Sequence, residues 1–414
     1  MSATLLITIS GRDNPGLTHA FAGVLAEARA TLLDIGQAVI HDVLVLGIMV
    51  SVETLHVSAV ENAVRRKASE LGVEARTALL SETEQRDWVT RQHHRRFVVT
   101  LLAAQISAAQ LAAITDIFVA QGMNIDLLDR LSSRSAAVDN IDPRMCIDFT
   151  LTGDNVDSGT LRRQLLTLAD QQDFDVAVQE DSIFRGNRRL IVFDMDSTLI
   201  QMEVIDELAR LAGVGDKVSA ITAAAMRGEL DFQASFRRRL ALLRGLPASA
   251  LAKVAENVPI TPGAHRLLRT LKLLGYKTAI LSGGFTFVAQ KLQKELGFDY
   301  VHTNELEIEN GTLTGQPVGS IVDGARKAQL LEEIASREGI SMQQTIAVGD
   351  GANDLPMLSI AGLGVAFHAK PLVREKAQHS ISRMGLDALL YLLGLRDRHT
   401  EAKQIFTTEA TEEH

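Results

Sequence analysis

Three apolar runs, each ending in acidic or small residues, restrict what this chain can become. They are RLIVFDMD at 189–196, YKTAILSGG at 276–284 and QTIAVGDGAND at 344–354. Runs that are apolar throughout, rather than alternating, and that are separated by helical stretches predict a parallel sheet buried on both faces. In an open sheet of that kind, ligands gather beyond the carboxyl ends of the strands. Those ends carry Asp194, Asp196, Ser282, Gly283, Gly284, Asp350, Asn353 and Asp354. Lys327, in the helical stretch GARKAQLLEEIA, precedes the third run. Together they form one candidate site of carboxylates, a lysine, a hydroxyl and exposed backbone amides.

Clustered carboxylates raise one another's pKa values, and a divalent cation resolves that conflict. An oxygen-only donor set points to Mg²⁺, which takes one or two carboxylates and keeps room for phosphate oxygens. A carboxylate nucleophile, a metal, a lysine and a hydroxyl suit phosphoryl transfer, where catalysis is mostly positioning and charge stabilisation. One of Asp194 and Asp196 would attack phosphorus and the other would handle the leaving-group proton. Spacing alone leaves open which does which. Between Met202 and Pro259 the chain is rich in helical patterns without a strong strand, which predicts a helical insertion at about 202–259 after the first strand of this sheet.

The text before Phe184 follows a different grammar. TLLITIS alternates as a strand, GRDNPG marks a turn, and LTHAFAGVLAEAR has helical spacing. LLDIGQAVI and VLVLGIMVSV read as two more strands, and HVSAVENAVRRKASELG as a helix. The order then recurs from RRFVVTLLA, at an offset of about 93 residues that places Thr31 on Asn124. Each copy reads βαββα, a small sheet with helices on one face. The expected organisation is a first repeat at 1–83, a linker at 84–94, a second repeat at 95–183, the parallel-sheet domain at 184–397 and a polar tail at 398–414.

Composition narrows the class of function. A net charge of −9 over 414 residues argues against a general nucleic-acid binder. The single cysteine, Cys146, can form no internal disulfide and fits a reducing compartment. No run reaches the roughly 20 apolar residues of a membrane span, and MSATLLITIS lacks the basic start of a signal peptide. The expectation is a cytoplasmic protein with no membrane partner.

DMDSTL, LSGGF, the isolated Lys327 and GDGANDLPML resemble, in order, the four motifs of the haloacid-dehalogenase superfamily of phosphatases. From Asn187 to about Leu393 the chain is most similar to the phosphoserine phosphatase family, helical cap included. The resemblance implies a Rossmann-like core with a cap insertion, Mg²⁺ as cofactor and O-phospho-L-serine as substrate, hydrolysed in the last step of L-serine biosynthesis. It implies Asp194 as the nucleophile and Asp196 as general acid and then base. Asp194, the Asp196 carbonyl and Asp350 would hold the metal, with Asp354 and Thr198 in support. Ser282, Gly283, Asn353 and Lys327 would hold the phosphoryl group. In the cap, Glu203 would face the substrate ammonium and Arg239 its carboxylate, and Met226 and Phe232 would close over it. A guanidinium suits that task because it grips a carboxylate with two parallel bonds. An alternative keeps the chemistry and changes the acceptor: a phosphatase or phosphotransferase for another small phosphometabolite or a phosphoprotein.

The repeats resemble ACT domains, ferredoxin-like modules that bind amino acids. That likeness implies an effector site in the first repeat at Asp13, Asn14 and Gly16, with L-serine as the expected effector. It also implies a homo-oligomer, a dimer or larger, assembled through the repeats. The second repeat has Ala103 to Ser107 at the equivalent loop, without the glycine.

Overall fold

The computed structural model describes residues 2–91, 94–133 and 144–400, and the chain divides into two compact units, Met1–His94 and Arg95–His414. The first unit holds β1 (Ser2–Arg12), β2 (Thr31–Ile40), β3 (Val43–Glu53) and β4 (Glu74–Leu80) in the order β2-β3-β1-β4, every pair antiparallel. Strand alternation buries Leu5, Ile7 and Ile9 of β1 on one face. The helix Val57–Leu71 meets that face with Val57, Val60, Val64 and Ala68, spaced three and four apart. The repeat is therefore βαββαβ, one strand longer than the sequence suggests. β4 has no fully buried residue and hence no apolar run to announce it. The stretch expected as a linker begins inside a helix, Glu82–Arg91.

The second unit opens with the same topology: β5 (Arg96–Ala103), β6 (Asn124–Arg130), β7 (Met145–Thr152) and β8 (Asp175–Glu180), in the order β6-β7-β5-β8. The repeats share a defect as well as a plan. The β2–β3 register slips between Leu32 and Asp34, and the β6–β7 register slips between Ile125 and Leu127, the same places at the offset read from sequence.

The remaining strands are β9 (Leu190–Phe193), β10 (Lys277–Phe285), β11 (Tyr300–Glu309), β12 (Thr312–Val318), β13 (Thr345–Gly349), β14 (Leu363–Phe367) and β15 (His379–Ile381). They form one sheet in the order β12-β11-β10-β9-β13-β14-β15, parallel except for the edge strand β12. The three runs that opened the sequence reading are thus the adjacent central strands β10, β9 and β13. Their residues alternate between two cores: Ile191, Phe193, Ile280, Ile346 and Val348 enter one, and Leu190, Val192, Ala279, Leu281 and Ala347 enter the other. Burial on both faces is why these runs carry no polar alternation.

Helices Val204–Leu211, Gly215–Met226, Phe232–Ala241 and Ser249–Glu256 make up the insertion after β9. Its neck is closed by an antiparallel bridge between Ile200 and Ile260 and by the Gln201 amide donating to the Pro259 carbonyl at 2.9 Å. The second repeat is bonded to this core. Asp175 at the start of β8 accepts the Ser382 and Arg383 amides at 2.9 and 2.8 Å, and Gln179 donates to the Leu392 carbonyl at 2.8 Å. The expected polar tail starts too early: a short helix, Asp397–Thr400, follows, with Asp397 and Thr400 both buried. Residues 401–414 lie outside the described residues.

Candidate active site

β9 ends at Phe193, and the Asp194 amide still donates to the Val348 carbonyl of β13 at 2.9 Å, so the carboxylate is delivered at the carboxyl edge of the sheet. The chain then makes a wide turn closed by the Ile200 amide on the Met195 carbonyl at 3.1 Å. Inside it Asp196 is extended and Ser197 takes φ +56°, a left-handed conformation that costs a non-glycine residue about 1 kcal/mol or more. The turn separates the two aspartates that simple strand alternation would have aligned. Asp196 comes to face β10: a Cβ on Gly284 would sit 3.1 Å from its carboxylate and 2.5 Å from Met195 Cε, so a side chain there would crowd both. The Ser197 hydroxyl donates to Glu203 at 2.8 Å.

Lys327 is fully buried, its Nζ 2.8 Å from an Asp194 oxygen and 2.6 Å from Asp354. Burial alone would push its pKa down, but the two carboxylates outweigh burial and hold it charged. Asp354 has its other oxygen on the Gly351 amide at 2.9 Å. Thr198, wholly buried, donates to Asp350 at 3.3 Å. Burial, then Asp194 and Asp354, push Asp350 up to about 8, and burial with Asp194 pushes Asp354 up to about 6. Burial, then Glu203 and Asp194, raise Asp196 well above the usual carboxylate range.

Carboxylate oxygens of Asp194, Asp350 and Asp354 lie within 4.8 Å of one another. Asp354 already has its oxygens on Lys327 and Gly351, so Asp194 and Asp350 are the carboxylates left to face an ion. Hard oxygen donors that are uncomfortable without a counter-charge fit a small divalent cation.

On β10, Ser282 is buried and its Oγ accepts the Gly284 amide at 3.0 Å, which leaves its own proton to donate. Gly283 lies under the cap: a Cβ there would meet the Phe232 ring at 2.8 Å. Asn304, on β11, is a residue the sequence reading missed. Its Nδ2 donates to the Gly283 carbonyl at 2.8 Å and its Oδ1 accepts the Val322 amide at 2.8 Å, which ties the Ser282 loop to the approach of the Lys327 helix. An isolated asparagine inside a strand carries no motif to find it by. Asn353 is half-buried, and its carbonyl is 2.6 Å from where a Cβ on Gly324 would stand.

In the cap, Glu203 sits just before the helix Val204–Leu211. Partial burial, then Asp194 and Asp206, raise its pKa against the pull of Ser197 and Arg239. Of the run Arg237, Arg238 and Arg239, only Arg239 leaves the exposed class. Its Nε is buried with no hydrogen-bond partner, and Glu203, Asp206 and Asp196 offset only part of the cost of that burial, which lowers its pKa. A second cap-to-core contact was not foreseen: Gln233 donates to Asp323 at 2.7 Å, the residue that caps the Lys327 helix. Met226 ends its helix, and its side chain lies outside the described residues.

In the first repeat, Gly16 has φ +94° and opens the helix Leu17–Glu27, whose start has no side-chain cap. Asp13 and Asn14 are exposed beside it. The second repeat closes the equivalent helix start with a reciprocal cap between Ser107 and Gln110.

Residues 191–359 match the family model of haloacid dehalogenase-like hydrolases, and residues 3–78 match that of the ACT domain. The chain is 42% identical to the phosphoserine phosphatase of Streptomyces coelicolor over 96% of this chain and 94% of that one. It is 40% identical to the phosphoserine phosphatase of Mycobacterium tuberculosis, over 96% of this chain and 95% of that one. Among solved structures, a HAD family hydrolase from Salmonella enterica serovar Typhi superposes with a TM-score of 0.62 at 35% identity, covering 72% of this chain and 98% of that one. A probable phosphoserine phosphatase from Vibrio cholerae gives 0.58 at 36%, covering 73% and 87%.

Proposed function

The chain belongs to the phosphoserine phosphatase family of haloacid dehalogenase-like hydrolases, and from that premise we propose that it releases phosphate from O-phospho-L-serine by two in-line transfers through phospho-Asp194. The observation that carries this reading is Lys327, fully buried and held within 2.8 Å of Asp194 at the carboxyl edge of the sheet. A buried lysine pinned against one carboxylate fixes that carboxylate in position as a nucleophile. It also places a cation where phosphoryl oxygens would lie.

Asp196 is the partner. Its raised pKa favours the protonated form, which can give its proton to the serine oxygen as the P–O bond breaks and Asp194 bonds to phosphorus. As a carboxylate it then takes a proton from the water that attacks phospho-Asp194, which restores both aspartates. Ser282, the amides around Gly283, Asn353 and Lys327 hold the phosphoryl oxygens. Asp194, Asp350 and the Asp196 carbonyl would hold Mg²⁺, which supplies positive charge against those oxygens when bound. Asp354 and Thr198 fix the metal-side groups. Glu203 receives the substrate ammonium and Arg239 its carboxylate. The burial of the Arg239 Nε without a hydrogen-bond partner supports a site that awaits an anion. Phe232, packed over Gly283, shields the transfer from bulk water.

The same reading makes the protein a cytoplasmic enzyme that ends L-serine biosynthesis. Its first repeat senses the product at Asp13, Asn14 and Gly16, where uncapped helix amides meet a glycine turn. Rapid mixing with phosphate-labelled phosphoserine and acid quench tests the intermediate. Wild-type protein should retain label and Asp194→Asn should not; equal labelling of both would remove the nucleophile assignment.

A further inference from the structure

The second repeat meets the phosphatase core at a point from which polar contacts, joined by the backbone steps Asp387–Leu386 and Pro262–Thr261, lead to Asp350. Arg144, just before β7, pairs with Asp387 of the core, which is 3% exposed. Asp387 also accepts from Arg266 at 3.0 Å, and Arg266 reaches Asp397 at 2.6 Å. Asp397 in turn accepts the Ser133 amide of the repeat at 2.6 Å. Asp387 presses on the segment 259–263, the returning half of the cap's neck. Gly263 has φ +84°, and a Cβ there would lie 2.3 Å from an Asp387 oxygen; the neighbouring Leu386 amide donates to the Pro262 carbonyl at 2.9 Å. From that segment the Thr261 hydroxyl donates to the Thr198 carbonyl at 2.7 Å, and the Thr198 hydroxyl donates to Asp350. Except for Pro262, which is exposed, the residues along this path are buried or half-buried, where a hydrogen bond is strong and a broken one is costly.

We propose that Arg144 is a positioning residue for the phosphatase reaction: through Asp387 it sets the neck segment 259–263, and through Thr261 and Thr198 it sets the metal-side carboxylate. The inference rests on the phosphatase reading of the site. It gives the second repeat, whose own helix start is closed by Ser107 and Gln110, a mechanical task in place of a ligand-binding one.

The test compares R144Q, R144K, T261V and the R144Q/T261V double variant in the full chain, on phosphoserine and on an aryl phosphate. R374A serves as control, because it removes a different contact between repeat and core, Arg374 with Asp170 at 2.8 Å, away from the neck. R144Q should lower kcat about tenfold with KM within about twofold, and R144K, which keeps the charge, should recover most of that loss. R374A should match wild type. T261V should lower kcat, and adding R144Q to it should cost no further activity, since both act along one path. Should R144Q fold poorly, R144K against R374A carries the same comparison at smaller amplitude. A wild-type kcat in R144Q, an equal loss in R374A, or losses that multiply in the double variant would each overturn the proposal. Wild-type protein inactive on both substrates would take the phosphatase reading with it, whereas active wild type with an indifferent R144Q sinks this inference alone.

Discussion

Asp194 and Asp196 are chemically identical side chains two residues apart, and their surroundings differ. One lies against a buried ammonium; the other is raised by burial, Glu203 and Asp194. Asp194→Asn should cut phosphoserine turnover by at least about a thousandfold while the unfolding midpoint stays within a few degrees. Arg239→Ala should lower kcat/KM for phosphoserine about a hundredfold and for a phosphate ester without a carboxylate less than about threefold, since it removes a charge-assisted pair only the first substrate can make. Equal losses on both esters would undo that role. At this scale the sequence was most legible where residues come in order: DMDSTL, Lys327 and GDGAND converge in space as their motif order implied. Arg239 could be singled out from its neighbours only by resemblance, because three consecutive arginines look alike until a helix face buries one. Asn304 and Gln233 stayed invisible, since a lone amide side chain gives no pattern and its partners are backbone or distant side chains.

Elements were legible in proportion to how completely they are buried. β9, β10 and β13 announce themselves because two cores demand apolar residues at every position. β4 lacks any buried residue, and β8 is short and starts with Asp175, which the core uses as an acceptor for backbone amides. Asn304 joins the Ser282 loop to the approach of the Lys327 helix. Asn304→Ala should cost about 2 kcal/mol of stability for two buried hydrogen bonds and lower kcat more than it raises KM; unchanged kcat would remove its positioning role. β15 offers a pH test. Burial, then Arg162 and Arg188, push His379 down to about 3. Its pKa is thus lower folded than unfolded, where about 6.5 applies, so below pH 6.5 the unfolded chain takes up a proton the native chain refuses, and stability falls with pH. Between pH 7.5 and 5.0 wild type should lose about 2 kcal/mol more than His379→Gln in urea unfolding. Parallel losses would show that His379 titrates normally.

At the scale of the molecule, the repeats were visible as pattern, and their shared bulge shows that the pattern extends to backbone irregularity. What pattern could not give is that the second repeat is bonded into the phosphatase core while the first forms a unit of its own. In that first unit β2 is exposed along its length, with Leu32, Leu33, Ile35, Val39 and Ile40 between 46% and 61% accessible. An apolar edge strand of this kind favours pairing with a second copy. Sedimentation should find a dimer or larger for wild type and a smaller species for Ile35→Lys/Val39→Lys. The proposed feedback is tested in the same unit: L-serine should inhibit wild type and lose its effect on Asp13→Ala/Asn14→Ala, with uninhibited turnover equal in both.

The account stands or falls on phosphate release from O-phospho-L-serine with Mg²⁺, beside phosphothreonine and an aryl phosphate, with and without chelator. It predicts strong preference for phosphoserine, abolished by chelator and restored by Mg²⁺. Comparable rates on all three esters, or turnover indifferent to chelator, would contradict it, the first by removing the work assigned to Glu203 and Arg239 and the second by removing the metal from between Asp194 and Asp350.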